Sequence, residues 1–135
     1  MVEVLKVQDE SQRRACFVRL GLTDTQNVLL FAAHEAGEMI GVCAYRLNLH
    51  QAQLLKLWVH DDSDMLLKQL CIRAVLNAID LNGVKKVYAP WSAFDEILMR
   101  SLRFEPGSGE EGQPCWTIDL TGYFDAACES EYKTN

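Results

Sequence analysis

The chain has 135 residues, of which 49% are hydrophobic and 24% are charged, and its formal net charge is −6. This length is typical of one domain with an ample core, so folding requires neither disulfides nor a structural metal. Nucleic acid and anionic membrane surfaces are not expected as partners, because both attract a basic footprint and the Lys and Arg residues form no cluster.

The cysteines and the N-terminus indicate the compartment. The five cysteines are scattered and form no C-x-x-C pair, which favours a reducing environment and argues against a thiolate zinc site. Residues 1–7 alternate polar and apolar side chains, unlike a signal peptide, and apolar stretches such as 28–33 are too short to cross a bilayer. We therefore predict a cytoplasmic protein without a metal, and an exposed thiol at Cys128 in a polar tail.

The first half of the chain predicts a strand, a short helix and an antiparallel meander. The expected elements are strand 2–7, a helix from its cap Asp9 to its stop Gly21, and strands 28–35, 39–48 and 52–60. Gly37 supplies the hairpin turn between the second and third strands. Strict alternation in the fourth strand predicts two faces: Gln53, Leu55, Leu57 and Val59 on one, and Leu54, Lys56, Trp58 and His60 on the other.

The second half changes to a helical period. An apolar stripe predicts a helix over 64–81, ended by Gly83, and strand 84–89 should lie parallel to strand 52–60 because a long helix joins them. A further helix is expected from its cap Ser92 to Phe104, with Asp95 in its first turn. A loop over 105–114 and a last strand over 115–120 follow. We expect one domain over 1–120 and a polar, acidic tail over 121–135.

This order of elements resembles the GNAT N-acetyltransferase family. Three stretches carry the resemblance: residues 35–41 look like the family's hairpin into its third strand, 54–81 like its cofactor strand, loop and helix, and 97–104 like its segment ending in Gly-Phe. The resemblance implies an α/β (α+β) fold with a mixed, mostly antiparallel sheet, one parallel crossover and flanking helices.

The resemblance also implies a cofactor. In that family an acyl-CoA inserts its pantetheine arm between the splayed fourth and fifth strands, and its pyrophosphate lies on a Q/R-x-x-G-x-G/A loop at the start of the crossover helix. Helix N-termini attract anions through free N–H groups and the positive end of the dipole. Acetyl-CoA or another acyl-CoA would then contact residues at the matching positions, namely Val59, His60, Asp61, Lys68, Gln69 and Ser92.

The loop itself departs from the family pattern. Residues 60–69 contain neither glycine nor arginine, and Asp61, Asp62 and Asp64 would repel a pyrophosphate by about 1 kcal/mol per pair in water and by several at a protein surface. We interpret it as a degenerate cofactor loop. The acids and His60 also offer metal ligands, but their spacing matches no metal motif, so a solvated helix cap is favoured.

Catalytic residues are only partly recognisable. The family's general-acid Tyr aligns with Met99, which has no proton to give, and the Asn that often begins this helix aligns with Ser92. Tyr45 and Tyr88 are the available substitutes for the acid. A base near the end of the splayed strand is expected among His60, Glu38, His34 and Glu35. His60 is preferred, because its strand ends at the cleft.

Two functions remain open at this point. The first is acyl transfer from a CoA thioester to an unidentified amine, a small molecule or a peptide, with His60 or a nearby carboxylate as base and the N–H groups of residues 59–61 polarising the carbonyl. The second is a non-catalytic module that binds a protein partner or a small ligand in the same cleft. Residues 23–27 replace a helix of the family, which predicts an open acceptor face or one completed in a homodimer.

Overall fold

The computed structural model describes residues 1–124, which form seven strands and three helices. The elements are β1 (Val2–Lys6), α1 (Glu10–Leu20), β2 (Leu29–Glu35), β3 (Glu38–Leu47), β4 (Gln51–Val59), α2 (Met65–Leu81), β5 (Lys86–Pro90), α3 (Glu96–Ser101), β6 (Glu105–Ser108) and β7 (Pro114–Asp119). No helix within these residues is long and apolar enough to span a bilayer. Most of the predicted tail, including Cys128, lies outside the described residues.

The strands form one sheet in the order β1-β2-β3-β4-β5-β7-β6. Neighbouring strands are antiparallel except for β4 and β5, which are parallel and joined by α2. This confirms the predicted fold class. The β2–β3 hairpin turns at Ala36 and Gly37, both with positive φ (53° and 81°), which is the backbone that a two-residue hairpin requires.

The helices cover the two faces of the sheet unequally. The fully buried stripe of α2 includes Cys71, Ile72, Val75, Leu76 and Ile79, and it packs with α3 in one core cluster. On the opposite face, α1 packs mainly against β2, β3 and β4, where Cys16 and Leu20 enter a second cluster. Asp9 caps α1 by accepting from the Gln12 N–H at 3.0 Å, and Gly21 ends it at φ 67°, as predicted.

A β-bulge in β4 overturns the predicted alternation of its side chains. Ala44 of β3 pairs with Lys56 and Tyr45 pairs with Leu54, so Leu55 is an extra residue in β4. Leu54, Leu57 and Val59 therefore face α2, whereas Leu55 and Trp58 face α1. The strict alternation was wrong because one inserted residue shifts every later side chain to the other face.

Two boundaries in the last third also differ from the sequence prediction. The cap of α3 is Asp95, whose carboxylate accepts from the Leu98 N–H at 3.0 Å, so Ser92 precedes the helix and does not cap it. The predicted loop 105–114 contains the edge strand β6, which pairs with β7. Glycine and proline suggested a loop, but an edge strand accepts Pro106 because one side of the strand needs no ladder bond.

Candidate functional site

The cleft between β4 and β5 is the main candidate site. The two strands pair only over three positions, of which Gln53–Tyr88 is the last. Beyond Gln53, β4 continues for six more residues to Val59 and keeps its pairing with β3 alone. Within residues 1–124, β5 thus leaves the second half of β4 with one free backbone edge.

That free edge offers hydrogen-bonding groups to a ligand. The His60 N–H donates to the Ile40 carbonyl of β3 at 2.9 Å, which identifies His60–Ile40 as a hydrogen-bonded pair of the antiparallel ladder. Hydrogen-bonded and non-bonded pairs alternate, so the N–H and C=O groups of Leu57 and Val59 point away from β3. The predicted use of the His60 N–H toward a carbonyl was wrong, because β3 already accepts its hydrogen.

A cavity of about 430 Å³ lies along this edge. Its apolar wall includes Leu57, Met65, Phe94 and Leu98, and its polar rim includes Asp62, Ser63, Lys68 and Asp95. Phe94 and Leu98 are only 6% and 2% exposed, so the core holds this wall in place. A cavity of this size is in the range of small-molecule sites.

The α2 N-terminal turn, residues 61–67, closes one end of the cavity and satisfies most of its own N–H groups. The Asp61 carboxylate accepts from the Ser63 N–H at 3.0 Å and from its hydroxyl at 2.7 Å. The Asp64 carboxylate accepts from the Leu67 N–H at 3.0 Å. The N–H groups of Asp64 and Met65 donate to the carbonyls of Asp61 and Ser63.

The charge of this turn is also unfavourable for an anion. Bonds from the Ser63 hydroxyl and N–H lower the pKa of Asp61, so its carboxylate stays ionised at neutral pH. Lys68 lies one residue after the turn, but its ammonium pairs with Asp62 at 3.2 Å. A CoA pyrophosphate needs free N–H donors or free cations, whereas this turn directs the Ser63 and Leu67 N–H groups to its own carboxylates. The residues therefore do not fit the pyrophosphate of CoA.

Four of the predicted site residues lie together at the cleft. Val59 and Lys68 line the cavity, and His60 follows Val59 directly at the exposed end of β4. Asp61 begins the turn beside them. Their proposed roles stay predictions, but the fold brings these four positions to one mouth of the cleft.

The other predicted residues lie elsewhere. His34 is on β2, so β3 separates it from β4 by about 10 Å, two strand spacings. Glu38 is exposed at the first position of β3, and Gln69 donates to the Ser101 hydroxyl at 3.0 Å, which ties α2 to α3. Ser92 lines a different groove. These four positions do not line the cavity.

The candidate proton donors differ in access. Met99 is fully buried and Tyr45 is 2% exposed, with burial raising the pKa of the Tyr45 hydroxyl to about 12. Burial likewise raises the pKa of the Cys71 thiol to about 12, so it stays protonated. Tyr88 is the last residue of β5 that pairs with β4, and it lines an open groove. Of the two substitutes, Tyr88 alone borders a cavity.

That groove lies near the start of the splay and has a volume of about 570 Å³. It is lined by Gln51 and Gln53 of β4, by Tyr88 and Trp91, and by Glu110 and Glu111 of the β6–β7 hairpin. Tyr88 points away from the α2 side, because its neighbours Val87 and Ala89 lie in the core. Since α1 packs mainly against β2, β3 and β4, the groove lies on a part of this sheet face that α1 does not cover. Whether this face receives an acceptor, directly or in a homodimer, stays a prediction.

Sequence reasoning missed much of the cavity wall. Leu57 and Phe94 line the cavity. The sequence prediction had placed Leu57 on the same strand face as Leu55, and it had begun the last helix at Ser92, so that Phe94 fell inside that helix. The sequence did contain a signal for the true start of α3. Asp95 is a good capping residue, and its carboxylate can accept from the N–H of the residue three positions later, so it was an alternative cap to Ser92. Within residues 1–124, no three His, Cys, Asp or Glu side chains are arranged to hold a metal ion.

Comparisons with known proteins support the fold alone. No family model matches the sequence, and no curated protein matches it. A putative acetyltransferase from Exiguobacterium sp. 255-15 matches in structure with a TM-score of 0.68 and 13% identity, over 93% of this chain and 98% of that one.

Two further solved structures agree. The ribosomal-protein-S18-alanine N-acetyltransferase from Escherichia coli has a TM-score of 0.66 and 15% identity, over 89% of this chain and 94% of that one. A GNAT family acetyltransferase from Elizabethkingia anophelis, with acetyl-CoA bound, has a TM-score of 0.65 and 10% identity, over 88% and 98%. The chain described here therefore has the fold of the GNAT acetyltransferases, as its sequence predicted.

Proposed function

We infer that this chain is an N-acyltransferase of the GNAT type that takes its acyl group from a thioester held in the β4–β5 cleft. The observation that carries the proposal is the free edge of β4. Among residues 1–124, nothing pairs with the outward backbone groups of Leu57 and Val59, which border a cavity of about 430 Å³ with a buried apolar wall. An extended acyl donor fits this combination, because its amides can pair with the strand and its chain can contact Leu57 and Phe94.

The chemistry assigns distinct roles to neighbouring residues. An amine nitrogen attacks the thioester carbonyl, the C–N bond forms, the C–S bond breaks and the thiolate leaves with a proton from solvent or Tyr88. The Val59 N–H is the donor for the developing oxyanion, a role worth about 10²–10³ in rate. His60 is the base for the amine proton, a contribution of about 10²–10⁴.

The acceptor amine enters from the face of the sheet opposite α2. The groove beside Tyr88 and Trp91 borders the start of the splay, and among residues 1–124 its lining has two acids and no Lys or Arg. A cationic amine is favoured there, because carboxylates and a Trp ring both attract it.

The test is a thiol-release assay with a panel of acyl thioesters, both CoA and pantetheine esters, against mixed small amines and peptides. We expect thiol release above the buffer rate and acylated amine by mass spectrometry. His60→Gln should lower the rate at least tenfold, while the matched change His50→Gln, on the exposed β3–β4 loop, should leave it unchanged. No release with any donor would contradict the proposal.

A second candidate is a non-catalytic binding module. Two observations favour it: the position of the family's acid is a fully buried Met99, and the α2 turn is closed by its own carboxylates. This alternative predicts that ligands bind in the cleft while thiol release stays at the buffer rate, so binding and turnover together separate the two functions.

A further inference from the structure

We propose that the cleft selects ligands without a diphosphate, so that a neutral pantetheine-type arm binds at least as tightly as the same arm attached to CoA. This inference rests on the proposed function only for the choice of an acyl-carrying arm. The selection itself follows from the difference between two walls of one cavity.

The β4 wall of the cavity is uncharged. The groups that it offers to a ligand are the backbone N–H and C=O of Leu57 and Val59, and the side chains of these two residues are apolar. Backbone groups of this kind pair with amides of an extended chain, and an uncharged chain loses little hydration on entering an apolar cavity.

The α2 turn disfavours negative charge in two independent ways. Its Ser63 and Leu67 amides already donate to Asp61 and Asp64, so a phosphate oxygen would have to displace these internal acceptors. The carboxylates themselves repel the phosphate, and the Lys68 ammonium pairs with Asp62 at 3.2 Å, so its positive charge is already partly offset. Each unfavourable charge pair at contact distance weakens binding by about fivefold in water and by more near a protein surface.

Salt dependence gives this selection a signature. A protein that binds a phosphate through cations loses affinity as salt rises, because the attraction is screened. Here the interaction is repulsive, so the sign is opposite: higher salt should leave the affinity for CoA unchanged or raise it.

The experiment uses three inert probes on the intact chain, so that binding is measured without turnover. S-ethylpantetheine, its 4′-phosphate and S-ethyl-CoA carry the same arm with increasing negative charge. Titration calorimetry at low and high salt should give affinities that do not rise along this series, with the differences shrinking at high salt. S-ethyl-CoA binding about tenfold more tightly than S-ethylpantetheine would overturn the proposal, as would no binding of any probe at millimolar concentration.

Paired variants test the cause. Asp61→Asn with Asp62→Asn removes two charges, keeps an acceptor for Ser63 and frees Lys68, so we expect the affinity for S-ethyl-CoA to rise about tenfold relative to the affinity for S-ethylpantetheine. The matched control is Glu10→Gln with Asp24→Asn, two exposed acids on and after α1. If both pairs of substitutions change the affinity for S-ethyl-CoA equally, the effect comes from the net charge of the protein and the turn is not its cause. That result would contradict the proposal, as would no effect of the first pair.

These outcomes are distinct from those of the acyl transfer proposal. If the probes bind in the expected order but no thioester releases thiol, acyl transfer fails while the selection stands. If thiol is released most efficiently from CoA esters, acyl transfer stands and the selection fails.

Discussion

The second half of β4 and the α2 N-terminal turn border the same cleft, yet they differ in what they leave free. In β4, Leu57 and Val59 keep N–H and C=O groups that no β5 residue within the described range pairs with. In the turn, the Ser63 and Leu67 N–H groups are taken up by Asp61 and Asp64. The free edge follows from strand order and splay, whereas the closed turn depends on two or three side chains. Ligand chemistry can therefore change at the turn while the fold stays the same.

The largest expected effect comes from breaking the wall that faces β4. Leu98 lines the cavity and is 2% exposed, so Leu98→Ala should lower the free energy of unfolding by about 2–5 kcal/mol. Its neighbour Ile97 is 72% exposed, and Ile97→Ala should cost less than about 0.5 kcal/mol. Urea unfolding of both variants checks this, and similar losses in the two would contradict the described packing.

A smaller effect is expected from opening the turn. Asp64→Ala removes the cap of α2 and should cost about 0.5–2 kcal/mol, whereas Asp64→Ser keeps an acceptor for the Leu67 N–H and should retain most of that stability. Thermal unfolding of the two variants measures the difference. If Ser is as destabilising as Ala, the hydrogen bond to Leu67 does not close the turn.

A still smaller effect is expected at Gln69, which the sequence assigned to the cofactor. Gln69→Ala removes the bond to Ser101 between two exposed side chains and should cost less than about 1 kcal/mol. Binding of S-ethylpantetheine and S-ethyl-CoA should not change, because Gln69 does not line the cavity. A loss of either affinity in calorimetry would restore Gln69 to the site.

The smallest effect concerns the pH dependence of the turn. The pKa of Asp61 is lowered by its bonds from Ser63, so the folded state binds this proton less readily than the unfolded chain does. Its contribution is therefore present above the unfolded pKa of about 3.9 and is lost as pH falls through the lower folded value. The melting temperatures of wild type and Asp61→Asn should differ slightly at pH 7 and converge below about pH 4. A gap that widens at low pH would reverse the sign.

The fold was predictable because its signals are repeated along the chain. The apolar stripe of α2, the glycine turn at Gly37 and the capped α1 each fix an element, and the long helix between β4 and β5 requires a parallel pair. If one position in such a pattern is predicted on the wrong face, the order and direction of the elements do not change.

The site was less predictable because it depends on single irregularities. Leu55 is one extra residue in β4, and nothing in an alternating pattern distinguishes a bulge from a regular strand. The start of α3 depends on which of two capping residues, Ser92 or Asp95, meets a free N–H. The acidic character of the turn was evident from the sequence, but the pairing of its carboxylates with Ser63 and Leu67 required the fold.

The most direct test of the contrast between β4 and the turn is amide hydrogen exchange by NMR on the ligand-free chain. We predict fast exchange for Leu57 and Val59 and slower exchange for Trp58 and His60, whose N–H groups face β3. The N–H groups of Ser63 and Leu67 should also be protected, by their carboxylate acceptors. Protection of Leu57 and Val59 together with fast exchange at Ser63 and Leu67 would contradict it, because β4 would then be closed and the turn open.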